Sequence, residues 1–120
     1  MLQGTLDSWQ RPQVTVAVRG PYGTASLDVV IDTAFTGAFS MPDGEIRRLG
    51  LHPRGARPLQ AADGTVKPVP TFVCEVEWMN GWLSLEVVSS PLPVALIGAG
   101  LLRGHELIVN YGPAQSVEIR

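Results

Sequence analysis

The stretch VVIDTAFTGAFSMP, Val29 to Pro42, sets a single carboxylate, Asp32, directly after a run of β-branched apolar residues and directly before a turn of small ones. An aspartate in such company must be hydrogen-bonded, paired or protonated, because burying an isolated charge is costly. One reading is local: a strand ends here, and Asp32 and Thr33 hydrogen-bond their own turn. The other gives Asp32 a chemical task. The rest of the chain bears on the choice.

Upstream, PQVTVAVRG alternates apolar and polar residues, Gly20, Pro21 and Gly23 turn the chain, and TASLDVVID returns as a second strand. Helix signals gather only in PDGEIRRLGL, with Pro42 and Asp43 at the start, Ile46 and Leu49 three apart, and Gly50 as the stop. Downstream, ARPLQAA and TVKPVPTF flank Asp63-Gly64, a favoured dipeptide for a type I′ turn. Pro68 and Pro70 cannot donate to a sheet, so that arm is expected at an edge. FVCEVEWM and WLSLEVV form a third hairpin about Asn80-Gly81, again with type I′ chemistry, and Trp78 and Trp82 serve packing. PVALIGAGLLRG follows, then HELIVNYG and QSVEIR as final short strands. Mostly antiparallel strands with one short helix predict an all-β domain spanning 1–120, a small partly closed barrel or a sandwich.

With 120 residues, 45% of them apolar, the chain can bury roughly two thirds of its unfolded surface, so a true core is expected. A net charge of -2 leaves no basic footprint, and nucleic acid is not an expected partner. No apolar run approaches the roughly 20 residues that cross a bilayer, and MLQGTLDSWQ lacks a signal-peptide pattern. No membrane partner and a cytoplasmic location are expected. Cys74, the one cysteine, shares a strand face with Phe72, Val76 and Trp78 and reads as a buried, inert thiol. His52 and His105 read as surface residues without the N or S partners that zinc requires, so no metal is expected.

GAGLLRG, with Gly98, Gly100 and Gly104, follows an apolar strand but puts Arg103 where a dinucleotide fingerprint needs glycine. Too little chain follows to complete a βαβ unit of about 30 residues. GPYGTAS has no phosphate-loop lysine, and no G-x-S-x-G elbow or serine or cysteine triad is present. No cofactor is expected.

Three features in order then carry a resemblance. Apolar-apolar-Asp32-Thr33-Ala34 resembles the D-[ST]-[GA] motif of aspartic proteases, and VALIG, Val94 to Gly98, resembles the apolar-apolar-Gly segment beside that loop. The Asp63-Gly64 hairpin between them stands where such proteins carry a flap. The whole order, with ADGTVKPVPTFVCEVEWMNG and LIGAGLLRGHELIVNYG, is similar to the small bacterial, single-lobe members of the retropepsin-like (clan AA) group. The resemblance implies a partly closed β-barrel of the retropepsin type and an aspartic endopeptidase acting as a homodimer on extended polypeptides. With one such motif per chain, each copy brings half of a carboxylate pair.

In that reading Asp32 is general base and general acid, Thr33 bonds across the dimer, and Ala34 keeps the loop small. Ala62, Asp63 and Gly64 form the flap tip that closes on substrate, while Leu96, Ile97 and Gly98 border the substrate site and support the catalytic loop. The sequence departs from the group in three places. Ala34 stands where glycine is commoner, Ala99-Gly100 where viral members carry arginine and then Asn or Asp, and Asn110 where many bacterial members have Asp. The first two motivate an alternative: a catalytically silent domain of the same fold that dimerises or clasps a peptide strand.

Overall fold

The computed structural model describes residues 1–120 as ten strands and two short helices. In chain order these are β1 (Leu2–Leu6), β2 (Pro12–Gly20), β3 (Gly23–Ile31), β4 (Phe39–Pro42), α1 (Asp43–Leu49), β5 (His52–Gln60), β6 (Val66–Trp78), β7 (Gly81–Ser90), β8 (Ala95–Ile97), α2 (Ala99–Leu102), β9 (Leu107–Asn110) and β10 (Ser116–Ile119). Strands β6, β7, β4, β8, β3 and β2 neighbour one another in that order, and β2 also pairs with β6, so these six close into a barrel. Closure is short, through Val18 opposite Val76 and Arg19 opposite Glu75. Outside it, the Arg19 guanidinium grips Glu75 with two hydrogen bonds of 3.1 and 3.2 Å and lies 4.0 Å over the Trp82 ring.

Alternation fills the barrel. On β2, Val14, Val16 and Val18 point inward, and they meet Val29 and Ile31 of β3, Phe39 and Met41 of β4, Cys74 and Val76 of β6, and Ile97 of β8. Each such side chain contributes on the order of 1.5–3 kcal/mol by leaving water. The end of β3 is buried on both faces, because Val30, between the inward Val29 and Ile31, is 6% exposed as well.

The helix falls at Asp43–Leu49, buries Ile46 and Leu49, and ends at Gly50 in the left-handed region. All three hairpins are present, but the turns of the second and third differ from the sequence expectation. At the third, the positive-φ pair is Met79 and Asn80 rather than Asn80-Gly81. Trp78 pairs with Gly81, so the type I′ loop sits one residue earlier and Trp78 turns into the core. At the second, only Gly64 has positive φ, and its N–H donates to the Ala61 carbonyl while Ala61 N–H donates to Thr65. That is a type I turn closed by a glycine bulge, not type I′.

Strands β1 and β4 and the single helical turn α2 carry no strong local signal. Each is made by its neighbours: β1 by pairing with β10 and β2, β4 by insertion between β7 and β8. His105 is half-buried rather than on the surface. Its Nε2 accepts from Trp78 Nε1 at 3.4 Å and its Nδ1–H donates to the Arg120 carbonyl at 3.0 Å. The proline-bearing start of β6 pairs with β5 alone, which leaves its other side open, as prolines require. No helix is long and apolar enough to cross a membrane.

Burial, and then the neighbouring Glu75 carboxylate, push the Cys74 thiol up from 9.0 to about 12. Ionising it therefore costs more in the fold than in the unfolded chain, and its contribution to stability is full below the unfolded value and declines as pH rises from 9.0 toward 12. Native protein at pH 8 is expected to resist a thiol reagent that labels the denatured chain at once. Rapid labelling under native conditions would show that the barrel interior opens.

Candidate active site

Asp32 is the first residue beyond β3, and alternation puts it on the face of Val30, away from the barrel interior. Its backbone N–H donates to the Ile97 carbonyl at 2.9 Å, extending the β3–β8 pairing by one residue. Its Oδ1 accepts the Ala34 N–H at 3.0 Å, and its carbonyl accepts the Phe35 N–H at 3.1 Å. The local turn read from the sequence is therefore real, and it engages one carboxylate oxygen. No other side chain hydrogen-bonds this half-buried carboxylate. Thr33 and Ala34 beside it are exposed, and the Thr33 hydroxyl has no partner within the chain.

The loop is held from behind by backbone alone. Gly98 N–H donates to Ala38, Ala99 N–H to Phe35 and Gly100 N–H to Gly37, at 3.0, 2.7 and 3.1 Å. Each such bond is worth about 1 kcal/mol net. The approach is so close that a Cβ on Gly98 would lie 2.1 Å from the Gly37 carbonyl oxygen and 2.5 Å from that of Phe35. Glycine is required there by space, not by backbone angle.

Two cavities meet at Asp32 and Leu96, the two residues that line both. The larger, about 840 Å³, runs past Thr33 to Trp9, Leu92 and Tyr111. The smaller, about 670 Å³, runs past Ala34 and is roofed by Leu59 to Ala62 at the end of the β5–β6 hairpin. The sequence-derived residues thus separate. Asp32, Thr33, Ala34, Ala62 and Leu96 border the cavities. Ile97 points into the core at 0% exposure, and Gly98 lies behind the loop. Asp63 and Gly64 are exposed at the hairpin tip, beyond the cavity lining. There Asp63 accepts the hydroxyl and then the N–H of Thr65, which hold its carboxyl below the usual range and tie the tip to itself.

Trp9, 78% exposed, was not foreseen as a site residue. It is carried on a turn knotted by Asp7, whose Oδ1 accepts the N–H groups of Trp9 and Arg11 while Oδ2 accepts Arg11 Nε at 2.7 Å. No local pattern in the sequence marks it, because its place on the cavity wall comes from the tertiary fold. No group of His, Cys, Asp and Glu side chains is arranged to hold a metal ion.

No family model matches this sequence, and no curated protein sequence matches it. Solved structures do match in shape. A retropepsin-like aspartic protease from Rickettsia conorii superimposes with a TM-score of 0.69 at 11% identity, over 97% of this chain and 86% of that one. EIAV protease, complexed with the inhibitor HBY-793, gives 0.66 at 16% identity over 88% of this chain and 99% of its own. The fold is retropepsin-like.

Replacing Gly98 with alanine is expected to cost about 2–3 kcal/mol, because backbone must move to admit the methyl group. Gly44→Ala, in α1 with nothing within 4 Å of the new Cβ, is the control, expected to be neutral or stabilising by up to about 1 kcal/mol. Equilibrium denaturation of both variants checks this.

Proposed function

We propose that the chain is an aspartic endopeptidase that cleaves extended polypeptides and works as a homodimer. One observation carries the reading: a lone, accessible carboxylate, Asp32, stands where a cavity under a hairpin meets a second apolar cavity. Hydrolysing an amide without metal or covalent intermediate needs a base for water and an acid for the departing nitrogen. Two carboxylates sharing one proton supply both, since like charges in contact resist ionising together.

The chain brings one such carboxylate, so a second copy across a two-fold axis completes the pair. One Asp32 takes a proton from water as its oxygen attacks the carbonyl carbon; the other, protonated, donates to the nitrogen as the C–N bond breaks. The free Thr33 hydroxyl, exposed beside the carboxylate, is available to bond the partner's loop. A peptide strand lying beneath the β5–β6 hairpin would send alternate side chains into the two cavities. The tip residues Ala62, Asp63 and Gly64 would close over it and exclude water.

The second reading, a silent domain that binds a strand or dimerises without turnover, is favoured by Ala34 in the third motif position. A diverse peptide library incubated with wild type and with Asp32→Asn, and read by mass spectrometry, separates the two. Cleavage by wild type that falls by about 10² to 10⁴-fold in the variant is expected. Cleavage of equal rate in both would remove Asp32 from the chemistry, and binding without cleavage would favour the silent domain.

A further inference from the structure

The sheet beneath the two cavities presents a row of paired residues: Val30 opposite Leu96, Leu96 opposite Ser40, Ser40 opposite Val88, and Val88 opposite Thr71. Directly paired residues share a face, so these side chains form one floor; of the three that line the smaller cavity, Leu96, Ser40 and Val88, Ser40 is the polar one. Ser40 lies between Phe39 and Met41, both fully buried in the barrel interior, so its own side chain faces the other way. It is 4% exposed, yet its hydroxyl has no hydrogen-bond partner within the chain. No fully enclosed polar side-chain atom in the fold lacks a partner, so the Ser40 oxygen is reachable from the cavity it lines.

The two other serines that line the cavity are committed. Ser89 donates to Asp43, and Ser90 accepts the Leu92 N–H at 3.1 Å. A hydroxyl held at the bottom of a cavity without an internal partner is a cost to the fold. It is recovered when something in the cavity bonds to it.

We infer that Ser40 determines the side-chain preference of the smaller cavity by hydrogen bonding to a short polar side chain of the bound peptide, a hydroxyl or a carboxamide. This rests on the reading of the cavities as a peptide-binding site. An apolar side chain would displace water and leave the hydroxyl unpartnered, the arrangement by which sites built for a hydrogen bond reject analogues lacking one. An acidic side chain would meet Asp32 with no lysine, arginine or histidine lining the cavity to offset it.

The test uses Asp32→Asn protein, so that peptides persist, and calorimetric titration with peptide pairs that differ only by threonine against valine at each position in turn. At one position threonine is expected to bind about five- to tenfold tighter than valine, and adding Ser40→Ala is expected to abolish that difference. Ser40→Ala should also leave the thermal midpoint unchanged or raised, since it removes an unpartnered oxygen. Equal affinities throughout, a preference that survives Ser40→Ala, absence of peptide binding, or a midpoint lowered by several degrees would each overturn the inference. Cleavage by wild type without discrimination removes only the role of Ser40. Discrimination without cleavage keeps that role and removes the endopeptidase.

Discussion

At Gly98 two backbones pass so closely that no side chain fits between them. Much else depends on that approach. It lets the segment after β8 donate three successive N–H groups to the loop after β3, which holds Asp32 at a defined place using peptide groups alone. Side chains are thereby left free: Asp32 keeps one carboxylate oxygen without a partner and Thr33 keeps its hydroxyl. The same approach sets β8 between β3 and β4, the step that carries the sheet round toward closure at β2 and β6. Fold and site therefore share one constraint.

The burial pattern of β3 is the counterpart on the other face. Val29 and Ile31 anchor the strand in the barrel, while Val30 belongs to the cavity floor, so Asp32 emerges on a surface that is already partly covered. A lone carboxylate among apolar side chains is poorly placed for stability. In the proposed dimer it meets its own copy, and one proton between the two removes the repulsion and provides the acid and the base. Ser40 follows the same logic on a smaller scale: a polar group left unpartnered by the fold where a ligand would satisfy it.

How much could be read in advance follows from where each signal lies. The β2–β3 hairpin, α1 and the β6–β7 hairpin are local, written in alternation, a proline start, a glycine stop and turn residues, and they stand where the sequence places them, the last with its turn one residue earlier. Strand β4, with Phe39-Ser40-Met41-Pro42, has no period to read and exists because β7 and β8 flank it. The turn at Ala61–Gly64 shows why a dipeptide is a weak guide to turn type: the Asp63 side chain bonds forward to Thr65 and favours the bulged form. Within the site, the motif around Asp32 is legible, and so is Gly98 as a support of its loop, but the backbone contact that demands glycine there shows only in the fold. Ile97 was legible as a neighbour of the site but not as a core residue, because that depends on which face of β8 meets the barrel. Trp9 and Leu92 reach the larger cavity through the tertiary fold, so no local pattern could announce them.

The central claim is that two copies of Asp32 form one catalytic pair. Its most direct test is the rate of peptide cleavage when wild type is mixed with Asp32→Asn at constant total protein and allowed to exchange subunits. If both copies are needed, the rate follows the square of the wild-type fraction and is about one quarter at equal mixture. A rate that falls in simple proportion, to about one half, would mean that each chain acts alone and would contradict the account.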